Sequence, residues 1–166
     1  MDVKQLFDFR AYMERLTREN RLARREGFVP CTCSGTGYME EMLERQRTTR
    51  AFVCTSDVSE DSTRRVGGAW FKRRVFTVFI LARYDVRRMA DYAARMTLCR
   101  ELFRQFHSRF LIDEARLQSE LTYLGVSDIR SRELGGQFLS GCTGLYFMLA
   151  VDEPIDLQYD AAEWEQ

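Results

Sequence analysis

Five cysteines (Cys31, Cys33, Cys54, Cys99, Cys142) and a single histidine, His107, are the residues of this chain best suited to hold a metal or attack a substrate. Zinc takes thiolate and imidazole ligands, and Cys31, Cys33, Cys54, Cys142 and His107 supply those types. Zinc modules space paired cysteines by two to four residues, whereas Cys31 and Cys33 flank only Thr32 and no second pair follows. The spacing therefore argues against a metal site. A thiol nucleophile needs a base beside it. His107 falls late in a helical stretch between Phe106 and Phe110, where a histidine acts as a helix-dipole partner or a half-buried polar edge. No catalytic signature surrounds any cysteine. An odd cysteine count in a chain large enough to have its own core predicts reduced thiols rather than a disulfide framework, with Cys54 and Cys99 as small buried hydrophobes and Cys142 packed in a turn.

Other segments imitate known chemistry without completing it. CSGTGYMEE places glycines before a helix start, as a phosphate-binding loop would, but it lacks the G-x-x-x-x-G-K-[ST] pattern and a preceding strong strand. A connector explains it better. GCTGLYF at 141–147 has no G-x-S-x-G elbow, and its glycines supply a bulge or hairpin before a last strand. Glu40 with Glu41 and Asp152 with Glu153 are adjacent carboxylates with no titratable partner fixed by spacing. No catalytic, cofactor-binding or metal-binding residue is assigned, and the chain does not read as an enzyme.

The elements that would carry these residues follow from composition and period. The chain has 166 residues, 45% hydrophobic and 30% charged, with Lys+Arg and Asp+Glu both 25. That balance belongs to a folded protein with no net field toward nucleic acid or an anionic membrane. The start has neither the apolar core nor the cleavage site of a signal peptide, and no apolar stretch approaches the ~18 residues of a membrane span, which predicts a protein made in the cytoplasm and not held in a membrane.

Leu6, Phe9, Met13, Leu16 and Leu22 recur at threes and fours between arginines, predicting one amphipathic helix over 2–26 that stops at Gly27. Its arginines alternate with Asp8, Glu14, Glu19 and Glu26, which damps any pull on nucleic acid. Residues 30–37 read as a turn-rich connector, 38–47 as a short helix or irregular arm, 48–55 as a strand, and SDVSEDSTRRVGG as a polar loop. Residues 69–84, dense in Val, Phe, Ile and Leu without helical spacing, predict a central strand. From 85 to 117 the period becomes helical: Met89, Tyr92, Ala93, Met96, Cys99, Leu102, Phe103, Phe106 and Phe110 line one face. The remainder predicts two or three strands broken at Gly125, Gly135, Gly136, Gly141 and Gly144, then an acidic tail from Asp152 with no basic residue. This order predicts an α+β fold, a mostly antiparallel sheet packed by one long central helix and an N-terminal amphipathic helix. One domain spans 1–166, divided into an N-terminal helix and connector arm (1–47), an α+β core (48–151) and an acidic tail (152–166).

The strand pair ending in VFTVFILARYD, the helix DYAARMTLCRELFRQF and the glycine-punctuated strands through GLYFMLAVDEP resemble, in element order, the tail-terminator and tail-completion (head–tail joining) proteins of long-tailed phages. The resemblance covers about two thirds of the chain, 48–154, and rests on no diagnostic motif. It implies a small sheet flanked by helices, no catalytic residues, and a homo-oligomeric ring, usually a hexamer, that caps a tail tube and meets head-connector proteins in the virion tail or neck. The long Arg-rich first helix, the PCTCSGTG connector and the acidic tail depart from that pattern. A ring joins one surface of a subunit to a different surface of the next. Arg15, Arg18, Arg21 and Arg25 against Asp152, Glu153, Asp156 and Asp160 are the expected complementary pair of surfaces. A tail that only solubilises, a small Cys/His metal-binding protein or enzyme, and an adaptor binding nucleic acid without sequence specificity through the first helix are the alternatives left open.

Overall fold

Asp8 starts the first helix. Its carboxylate accepts a hydrogen bond from the Ala11 amide at 2.9 Å, and Phe9, Tyr12, Met13 and Leu16 of α1 (Phe9–Glu19) are buried on one stripe. The helix does not run on to Glu26. Asn20 leaves helical geometry, and its side-chain oxygen caps a second helix, α2 (Arg21–Glu26), by accepting from the Ala23 amide at 2.8 Å. Its amide nitrogen donates to Gln105 at 2.9 Å, which holds the break against the long helix. An Asn side chain competing for backbone groups is the reason one expected helix is two. Gly27, at φ 74°, ends α2 as anticipated.

This computed structural model describes residues 5–34, 37–135 and 141–165. The elements continue as β1 (Phe28–Cys33), α3 (Gly37–Arg45), β2 (Ala51–Val66), β3 (Ala69–Arg83), α4 (Met89–Ser119), β4 (Tyr123–Leu124), β5 (Arg130–Leu134), β6 (Cys142–Pro154) and a 3₁₀ turn at Ala161–Glu163. The sheet runs β1-β2-β3-β6-β4, with β5 also paired to β6. Among the described residues β1 and β2 pair in parallel and the other pairs are antiparallel. The fold is α+β, with one long central helix, and β3 lies between β2 and β6 as its composition predicts. Among the described residues no helix is long and apolar enough to cross a membrane.

Four segments differ from expectation. Part of the supposed 30–37 connector belongs to strand β1, whose Pro30 is tolerated because β1 is an edge strand; Gly35 and Thr36 lie outside the described residues. The polar loop after Thr55 is the outer half of β2, closed onto β3 by Gly67 and Gly68 at φ 57° and 86°. Two positive-φ glycines match the right-handed twist of a tight hairpin. Helix α4 has 31 residues, about 46 Å at 1.5 Å per residue, and starts later and ends later than the expected 85–117 stretch, at Met89 and Ser119. Its N-terminal Met89 is 74% exposed rather than on the core face, while Asp113 and Leu117 extend the buried stripe. Strand β6 is not broken at Gly144 and continues to Pro154, so Asp152 and Glu153 belong to the sheet and not to a tail.

The core lies mainly between one sheet face and helices α1, α2 and α4. Phe9 stacks on Phe76 with ring centroids 4.5 Å apart, and Phe103 on Phe147 at 5.0 Å. Of the segment 1–47, Phe9, Tyr12, Met13, Leu16, Leu22, Ala23 and Phe28 belong to this core. Tyr12 donates to buried Asp113 of α4 at 2.9 Å, and Arg109 pairs with the same carboxylate oxygen at 2.9 Å. Burial raises the Asp113 pKa, but the hydrogen bonds from Arg109 and Tyr12 outweigh it and leave the carboxyl below its ordinary range.

On the opposite face α3 buries Met39 and Leu43 against Phe52, Cys54, Phe79, Leu81 and Cys142. There Cys31 of β1 and Cys54 of β2 are register partners with Cα atoms 4.6 Å apart, and they are joined in a disulfide. The expectation of five reduced thiols is corrected at this pair. An odd count leaves some cysteines free without deciding which of the others meet across a parallel ladder. The crosslink spans a sequence separation of 23, for which restricting the unfolded chain contributes about 3 kcal/mol. Reductant is expected to lower the urea-unfolding free energy by about that amount. Equal unfolding with and without reductant, with all five cysteines alkylated in unreduced unfolded protein, would contradict the crosslink.

Candidate functional site

The residues with chemical potential are dispersed. His107 lies well inside α4, which runs to Ser119. Its Nε2 is 3.0 Å from the Val126 carbonyl, its ring stacks near Phe103, and no cysteine is its hydrogen-bond partner among the described residues. Burial pushes the Cys99 thiol up to about 12, and burial followed by the charge of Asp57 pushes Cys33 up to about 11. Burial raises Cys142 as well. These thiols are held as neutral hydrophobes, the reverse of what a nucleophile needs. Among the described residues no group of three or more His, Cys, Asp or Glu could hold a metal ion. Gly141–Phe147 runs into strand β6 and not into an elbow, and Glu41 pairs with Arg45 along α3.

The eight residues expected at an interface divide into two sets. Arg18 pairs with Glu14 at 2.6 Å and Arg25 with Glu26 at 2.9 Å, while Arg15 lies over the Tyr12 ring at 5.6 Å and Arg21 lines a cleft between the α1–α2 break and α4. Among the described residues none of the four meets an expected acid. Asp152 takes Arg64 at 2.9 Å and Arg73 at 3.1 Å through Oδ2. Glu153 takes Arg74 at 2.6 Å and the Phe7 amide at 2.8 Å. Both acids are therefore occupied in their own sheet, which corrects their assignment as a tail surface. Alternation along a strand aims Asp152 at one face and Glu153 at the other, so each meets a different arginine of β3. Asp156 and Asp160 lie beyond β6, exposed, and the carboxylate of each accepts from a backbone amide two residues on, with no ion-pair partner among the described residues.

A surface that sequence reasoning did not single out lies on the second sheet face. Helix α3 covers the end of that face around Phe52, Leu81 and Cys142, and among the described residues no other element covers the rest. Next to it Val58, Val75, Thr77, Phe79, Tyr146 and Met148 line a shallow trough of about 440 Å³. Val58 is exposed and Val75, Thr77, Tyr146 and Met148 are half-buried, although their neighbours on the opposite face are sealed under α4. Strand β5 forms one rim. Its register sets Arg130 opposite Met148 and Arg132 opposite Tyr146, and among the described residues neither arginine has an ion-pair partner. Between them Glu133 faces the other way and ties β5 to α4 through a bidentate pair with Arg100 at 2.6 and 2.8 Å. At the far end the Arg64–Asp152–Arg73 cluster and the Phe71–Tyr123 edge contact close the strip. The sequence did carry a signal for it: VFTVFIL is apolar at consecutive positions, the mark of a strand that needs cover on both faces.

The strip can do no evident bond-making. It can bury apolar surface against another macromolecule and fix its orientation through two free guanidinium groups. The chain matches no family model, and no curated protein matches it.

Proposed function

We propose that the protein is a self-assembling structural subunit, a ring-forming tail-terminator or neck component that joins tail tube to head connector in a phage or phage-like injection machine. It is made in the host cytoplasm and incorporated into the virion. The half-open second sheet face carries the assembly part of this reading: its apolar strip is continuous with the core, rimmed by arginine, and long enough to receive a neighbour. The tail-and-neck part rests on the resemblance of element order over 48–154, and partners there are tube and connector proteins.

The test compares sedimentation of the full-length chain and of Met148→Glu over a wide concentration range. Met148 is half-buried in the strip, so a charge there blocks burial by a neighbour while the opposite core face stays intact. The full-length chain is expected to form one closed oligomer larger than a dimer, and Met148→Glu to need at least about tenfold more protein to do so, a cost of ~1.4 kcal/mol per contact. A full-length chain that stays monomeric throughout would overturn the reading.

A further inference from the structure

We infer that the C-terminal segment 155–165 of one copy docks on the open sheet strip of a second copy; this deepens, and rests on, the assembly reading above. The segment carries Leu157, Tyr159 and Trp164, which are 53%, 70% and 64% exposed, so its own chain does not bury them. Tyr159 and Trp164 stack on each other with centroids 6.3 Å apart, a preformed aromatic pair. Asp156, Asp160, Glu163 and Glu165 surround them, with no basic residue and no ion pair among the described residues. The strip offers apolar Val75, Tyr146 and Met148, with one acid, Glu60, at its β2 side, and on its β5 side Arg130 and Arg132, which have no ion-pair partner among the described residues. The arginines of α1 and α2 fit less well, because Arg18 and Arg25 already hold Glu14 and Glu26.

Direction favours a second copy over the same one. The Ile155 amide donates to the Trp70 carbonyl at 3.0 Å, so the chain continues beside β3 toward the hairpin tip and away from the strip. Extended from Ile155 to Tyr159, the chain carries the aromatic pair up to about 17 Å from the end of β6, toward a neighbouring subunit. An outgoing segment that meets a different surface of the next copy is a heterologous contact, the kind that closes a ring.

The experiment places a photoactivatable p-benzoylphenylalanine at position 159 of the full-length chain, mixes ¹⁴N- and ¹⁵N-labelled protein, irradiates, and maps the linked peptides by mass. Mixed-isotope links from the segment to β3, β5 or β6 are the expected result. Links to that strip within one copy would overturn the second-copy occupant, as would links elsewhere or none. In a parallel measurement, Tyr159→Ala with Trp164→Ala, both at exposed positions, is expected to raise the half-dissociation concentration at least tenfold. Unchanged assembly of that variant would sink the tail contact while leaving the assembly reading standing, whereas a full-length chain that never assembles would take both down.

Discussion

Gly144→Ala is expected to leave little or no folded protein, because of the described glycines it is the one where an added methyl group meets backbone most closely. Gly144 lies inside β6 at φ 150° and faces Leu81 of β3 across the antiparallel ladder. A Cβ built there would overlap the Ile80 carbonyl oxygen and come within 2.9 Å of its carbon and 3.1 Å of the Leu81 Cα. All three are backbone atoms of the central strand, so no rotamer change relieves the clash. Strands β3 and β6 would have to separate at the point where Ile80, Leu81 and Leu145 are sealed in the two cores. The expected loss exceeds ~4 kcal/mol, the range reached only when a buried structure is broken. Circular dichroism and urea unfolding of purified protein check it. A variant that unfolds within ~1 kcal/mol of the parent would mean the β3–β6 approach is looser than described. Gly125→Ala, whose Cβ would meet the Ala150 side chain at 3.2 Å, should be much milder and serves as the comparison.

Glu153→Ala is expected to cost ~3–5 kcal/mol, the price of leaving a buried guanidinium without its counter-charge. The side chains of Arg74 and Glu153 are only 14% and 5% exposed. Arg74 lies over the Phe76 ring at 5.0 Å and donates to the Phe7 carbonyl at 2.8 Å, while Glu153 accepts from the Phe7 amide. The pair thus clamps the chain just before α1 onto the sheet, and removing the carboxylate frees that entry as well. The double variant Arg74→Met, Glu153→Leu is expected to recover much of the loss, because no buried charge is then left alone. If Glu153 instead stood on a surface awaiting a neighbour, its replacement would change monomer stability by less than ~0.5 kcal/mol. Urea unfolding at low protein concentration separates the two outcomes.

The same residues show why parts of the molecule were readable and others were not. Strand β3 and helix α4 declare themselves because long apolar stretches with one period are rarely anything else, and Gly27 ends its helix for a local reason. The outer half of β2 was hidden because Asp57–Val66 has no fully buried residue: its side chains meet polar groups and water, which leaves no hydrophobic alternation to read. The split at Asn20 depended on Gln105, 85 residues away, and a local pattern cannot contain that. Asp152 and Glu153 looked like the head of an acidic tail because the chain's last strand ends in charge. What kept them in the sheet was Arg64, Arg73 and Arg74 on strands whose register is settled only in three dimensions. The open strip was half legible. The apolar run of β3, interrupted only by Thr77 between Val75 and Ala82, called for cover on both faces, but the short reach of α3, which decides where that cover stops, has no sequence mark.

Self-association through the open sheet face is the claim on which the functional account depends. The most direct test is native mass spectrometry of the full-length chain across a range of concentrations and two salt levels, which counts subunits without assuming a shape. The account predicts one closed stoichiometry above two, weakened by salt because Arg130, Arg132 and the acidic segment contribute to it. Monomer alone at every concentration would contradict it.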